Sequence, residues 1–72
     1  MRYAIVIERS ENSFGAWVPD LPGCVALGDS AAEVQRRMRD AIGMHLAGMR
    51  EDGDPIPPAT TGVEYVDVVA SQ

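Results

Sequence analysis

The sequence predicts a small α+β domain in the order β-β-β-α-β, with one helix packed on one face of a mixed sheet. Three observations lead to that reading. The run Trp17-Val18-Pro19-Asp20-Leu21-Pro22-Gly23-Cys24, closed by Gly28-Asp29-Ser30, sets turn and cap residues between two apolar segments. A long stretch after Ser30 repeats apolar residues at three- and four-residue steps. An alternating, valine-rich segment over residues 63–69 follows a proline-rich connector.

Residues 3–8 are apolar and β-branched and read as the first strand. Residues 9–13 are polar and read as a hairpin loop. Residues 14–18 read as the second strand, stopped by Pro19, which cannot donate to a ladder. Pro22-Gly23 is a turn signal: proline sets φ and glycine accepts a positive φ. Residues 24–27 follow as a short third strand, and three strands joined this tightly form an antiparallel meander. Ser30 is the expected helix N-cap, and Glu33 three residues on completes a capping box. Val34, Met38, Ala41, Ile42, His45 and Met49 make one stripe that faces a core. Arg36, Arg39, Asp40, Gly43 and Arg50 fall mostly on the opposite side. Gly53 suits the left-handed position that ends a helix, and Pro55 follows at the expected distance. Residues 54–62, with Pro55, Pro57 and Pro58, form an extended connector. Residues 63–69 are then the fourth strand, placed beside the first and parallel to it by a right-handed crossover. Ile5, Ile7, Val34, Met38, Ile42 and Met49 are the residues expected to be largely buried.

A chain of 72 residues makes one domain, residues 1–72. A domain this small is marginal alone, and Cys24, the single cysteine, allows no disulfide. No basic-then-apolar leader opens the chain, and no apolar run approaches the roughly 20 residues of a membrane span. The expectation is a soluble, cytoplasmic protein with no membrane partner. A formal charge of -5 argues against direct nucleic-acid binding and suits a basic protein partner. The predicted strands are apolar on both faces, with Tyr3, Ile5 and Ile7 alternating with Ala4 and Val6, and Phe14, Ala16 and Val18 with Trp17. One helix covers one face only, so the other calls for a second chain. A homo-oligomer, dimer or tetramer, follows.

Catalytic chemistry finds no foothold. His45 is the only histidine and lies within the apolar stripe, with no second histidine for a metal site. Ser10, Ser13 and Ser30 lack a nucleophile-elbow context, and Ser30 is explained by capping. No phosphate-cradling glycine pattern is present. The strand order is that of the first part of a ribonuclease H-like fold. Enzymes of that fold hold two metal ions with several carboxylates, the first in the opening strand. Here that strand reads Ile5-Val6-Ile7, and Glu8, Asp40 and Asp67 have no spacing that demands a metal. The expectation is no enzyme, no metal and no cofactor.

Phe14-Gly15-Ala16-Trp17-Val18-Pro19-Asp20-Leu21-Pro22-Gly23-Cys24 followed by Gly28-Asp29-Ser30 and Glu33 resembles the signature of the HicB-like antitoxin family. The opening Met1-Arg2-Tyr3 with Ile5-Val6-Ile7-Glu8, and the later Asp40-Ala41-Ile42, His45-Leu46, Glu51-Asp52-Gly53 and Pro55-Ile56-Pro57, extend the resemblance over nearly the whole chain. It implies a partial ribonuclease H-like fold without nuclease activity. It implies the neutralising half of a type II toxin-antitoxin pair, whose partner is a HicA-like, basic, mRNA-cleaving ribonuclease. Many members carry a C-terminal DNA-binding segment; this sequence resembles a short form without one, so operator repression would either be absent or fall to another protein. The alternative is a stand-alone oligomeric interaction domain with no toxin. For the toxin, Trp17 is the candidate apolar anchor; the competing reading makes it a core or dimer residue and the acids that follow merely solvated. Asp20, Glu51, Asp52 and Asp54 are the candidate acids for meeting a basic surface.

Overall fold

The structure, a computed structural model, describes residues 1–70. Three short strands, β1 (Val6–Arg9), β2 (Phe14–Trp17) and β3 (Val25–Gly28), precede one helix, α1 (Ala31–Asp52). The strands form an antiparallel meander in the order β1-β2-β3. The hairpin between β1 and β2 is closed by Ser10, whose backbone N–H donates to the Ser13 carbonyl at 2.9 Å.

The link between β2 and β3 is two consecutive proline-led turns. Leu21 N–H donates to the Val18 carbonyl across Pro19-Asp20, and Cys24 N–H donates to the Leu21 carbonyl across Pro22-Gly23, each at 3.1 Å. Gly23 has φ +85°, the value a type II turn needs at its third residue. The double turn drops Leu21 and Cys24 into the core, where both are buried beside Val18. Burial pushes the Cys24 thiol pKa up, so it stays protonated and acts as a small apolar side chain.

Both ends of α1 are closed as the sequence predicts. Ser30 Oγ accepts from Glu33 N–H at 3.0 Å, the first half of the capping box, while Glu33 Oε1 reaches one residue further back and accepts from Asp29 N–H at 2.6 Å instead of from the N–H of Ser30. Gly53, at φ +73°, donates to the Arg50 carbonyl, and Asp54 donates to that of Met49. Those two bonds are the Schellman pattern. Gly28 lets β3 run close under the helix start: a Cβ there would lie 3.1 Å from both Glu33 Oε1 and Val34 N.

The strand register sorts the sheet into two faces. On the helix side lie the rows Ile7-Ala16-Ala26 and Arg9-Phe14-Gly28. Small residues at Ala16, Ala26 and Gly28 let α1 settle onto β2 and β3. Val34, Met38 and Leu46 of the helix are buried there.

Three expectations are corrected. Residues 63–69 form no strand and pair with nothing among the described residues; the sheet is therefore antiparallel and three-stranded, not mixed. Their alternation suits a strand, but a strand needs an edge to bond to, and this segment leaves the body as an exposed arm. Ile7 is exposed, because α1 lies over β2 and β3 and leaves β1 uncovered. Leu46, not His45, completes the buried helix line, and Ile42 and Met49 are only partly buried. The buried contacts at 34, 38 and 46 follow the i+4 ridge, which winds around the helix axis.

Candidate functional site: an open sheet face and an uncovered flank

The face of the sheet away from the helix carries the rows Val6-Trp17-Val25 and Glu8-Gly15-Leu27. It is apolar and open. Trp17 is 42% exposed, Val25 63% and Leu27 68%. Gly15 leaves room for Leu27, whose Cδ2 would lie 3.3 Å from a Cβ at that position. Trp17 Nε1 donates to Glu8 Oε1 at 3.2 Å, which fixes the indole across the β1–β2 pair and satisfies its polar end. The sequence singled out Trp17 but missed Val25 and Leu27. Their signal was the same period of two, read across only four residues.

The acids do not gather on that face. Glu51 and Asp52 end α1, and Asp54 follows the cap, all exposed. Asp20 lies in the double turn and is engaged internally. Its carboxylate accepts from Thr60 and Thr61 backbone N–H at 3.0 and 2.9 Å, and from both threonine hydroxyls. These bonds, led by the one from Thr61 N–H, hold the Asp20 carboxyl below the usual aspartate value. Asp20 thus clamps the connector to the body, a role that neither its charge nor its spacing reveals in the sequence. Tyr3 Oη adds a second tie, donating to the Pro57 carbonyl at 2.6 Å.

The two sheet edges differ. Arg37 Nη1 donates to the Leu27 carbonyl at 2.9 Å and its other nitrogen approaches Glu33 at 3.5 Å, which blunts the β3 edge. No such group covers the outer edge of β1 among the described residues. The base of the arm runs past residues 2–4, and a cleft of about 410 Å³ lies between them, lined by Arg2, Tyr3, Ala4, Thr61, Gly62 and Val63. Beyond it the arm is exposed, Tyr65 at 93% and Val69 at 96%.

His45 borders a shallow groove beside Cys24 and Met44; the Cys24 thiol there is buried and its pKa is pushed up, which keeps it in the protonated, weakly nucleophilic form. Among the described residues, no three metal-ligating side chains converge, Glu8, Asp40 and Asp67 included. None of the described helices is long and apolar enough to cross a membrane.

Residues 3–70 match the model of the HicB-like antitoxin of bacterial toxin-antitoxin systems. The chain belongs to that family. It is 34% identical over 67 residues to a 14.9 kDa protein of the rep-hol intergenic region of Haemophilus phage HP1, covering 93% of this chain and 50% of that one. It is 43% identical over 47 residues to a UPF0150 protein of Helicobacter pylori, covering 65% of each chain. A UPF0150 protein of Archaeoglobus fulgidus is 38% identical over 71 residues, covering 94% of this chain and 96% of its own. This HicB-like chain therefore spans about half the length of the phage relative and nearly all of the archaeal one. No solved structure matches it.

Proposed function

We propose that this HicB-like chain neutralises a toxin by binding and occluding a HicA-like, basic, mRNA-cleaving ribonuclease, and that it catalyses nothing itself. Family membership supports the antitoxin role. The observation that carries the binding mode is the open apolar row Val6-Trp17-Val25, anchored by a half-exposed tryptophan. Inhibition here is occupation of a surface. Glu51, Asp52 and Asp54 stand at the negative end of α1, where carboxylates oppose the helix dipole. A basic partner would offset that repulsion, and Asp20 would add its charge from the double turn. In this reading residues 1–72 act as one unit in the cytoplasm, with no direct contact to nucleic acid or membrane. The strand order is the opening of a ribonuclease H-like fold, with residues 63–69 as its fourth strand once they find an edge.

The test is co-expression with a HicA-like toxin in a growth-arrest assay, with binding kinetics at two ionic strengths. The chain should restore growth and hold the toxin in a stable complex. Trp17→Ala should chiefly speed dissociation. Neutralising Glu51, Asp52 and Asp54 together should slow association and flatten its salt dependence. A chain that neither restores growth nor retains the toxin would end this reading. The second reading is a stand-alone, self-associating interaction domain, favoured by the uncovered β1 and the exposed arm.

A further inference from the structure

We propose that the arm, residues 63–69, adds as a fourth strand to the free edge of β1 in a second copy of this chain, so that two copies exchange arms about a two-fold axis. The inference rests on the self-associating reading and says where the copies join.

Four features point to that occupant. The arm is built as a strand without a sheet: Val66 and Val68 alternate with Tyr65 and Val69, and all four are exposed. Seven extended residues reach roughly 23 Å, longer than the four-residue edge they would cover. β1 is built as an edge without a neighbour. Its outer backbone groups are free among the described residues, α1 packs mainly on β2 and β3, and Ile7 stays 40% exposed on its helix side. The opposite edge is a poorer host, because Arg37 already holds the Leu27 carbonyl. Charge agrees as well. The arm carries Glu64 and Asp67 and no basic residue, while residues 1–9 carry Arg2 and Arg9 against Glu8 alone. That opening stretch is net positive in a chain of charge -5.

A second copy answers both needs at once, because each copy brings one arm and one edge. The added strand would pair the backbone groups of β1 and place apolar side chains beside Ile7 and Val6. A foreign strand could fill one edge but would leave the arm of this chain in water.

The test mixes isotope-labelled and unlabelled full-length chain and looks for contacts between labels by filtered NOE spectroscopy. Contacts should join Val66 and Val68 methyls of one copy to residues 6–9 of the other. Sedimentation from micromolar to near-millimolar concentration should show a dimer. Val66→Pro removes a backbone N–H that would donate to the ladder, at a residue that is 79% exposed in the single chain, so the circular dichroism of the body should be unchanged. It should weaken the dimer about tenfold or more. Contacts confined to one label would mean that the arm closes on its own β1, and would overturn the exchange. A dimer that keeps its strength in Val66→Pro and shows no arm-to-β1 contact would overturn the exchange while leaving self-association intact. A monomer throughout would overturn both.

Discussion

The half of the molecule under the helix and the half around β1 are made from the same kinds of residue, yet only one is finished. β2, β3, the double turn and α1 bury Ala16, Val18, Leu21, Cys24, Val34, Met38 and Leu46, and no buried side-chain polar atom among the described residues lacks a partner. β1 and residues 63–69 also carry apolar side chains, but Ile7 is left half-covered and Val66 and Val68 remain in water. The difference teaches that periodicity reports which faces are apolar, not which chain covers them. On its helix side one half is saturated by its own sequence, and in the proposed exchange of arms the other is saturated by a second copy.

The comparison breaks if mutations do not separate the halves. Met38→Ala, in the saturated half, should cost about 2–5 kcal/mol in urea unfolding, close to all the stability of a domain this small. Ile7→Ala, followed at the lowest workable concentration, should cost well under 1 kcal/mol. Equal losses would mean that β1 is covered within the single chain. Gly28→Ala forces a Cβ against the Val34 backbone nitrogen and Glu33, and should cost about 1–3 kcal/mol. Ser30→Ala leaves Glu33 N–H without its acceptor and should cost about 1 kcal/mol, read as a lower unfolding midpoint.

The smallest effect sharpens the boundary between the halves. The folded Asp20 carboxyl has a depressed pKa, so its clamp on Thr60 and Thr61 is fully present above the ordinary aspartate value of about 3.9. It is lost as pH falls from there through the lower folded value. Amide signals of Thr60 and Thr61 should shift in that window before the core signals do. Asp20→Asn should abolish the pH dependence while leaving α1 intact. Coincident titration of core and clamp would show the connector to be part of the core.

Much of the saturated half was legible because each device is local. Pro22-Gly23 dictates the second turn, Ser30 with Glu33 caps α1, and Gly53 ends it; the first turn, across Pro19-Asp20, is legible only as the stop of β2. The stripe erred at its far end, where His45 stands in for Leu46, because a four-residue ridge drifts from a fixed face over 22 residues. The clamp from Asp20 to Thr60 and Thr61 spans 40 and 41 residues, and nothing local announces it. The same holds for Arg37 on the β3 edge. The open face was legible as a need for cover from Trp17 and Val6, while Val25 and Leu27 became visible only through the strand register. Residues 63–69 read as a strand by pattern, but the pattern carries no information about whether an edge stands free for them, and within this chain they pair with none among the described residues.

The central claim is that one half is complete in a single chain and the other is completed by a partner. Amide hydrogen exchange of the full chain at a dilute and a concentrated setting tests it most directly. Amides of β2, residues 18–24 and the buried turns of α1 should be protected at both concentrations. The outward-facing amides of β1, those not bonded to β2, and the amides of residues 63–69 should gain protection together, and only at the higher concentration. Protection of residues 63–69 that is already complete in the dilute monomer, or absent at both settings, would contradict the account.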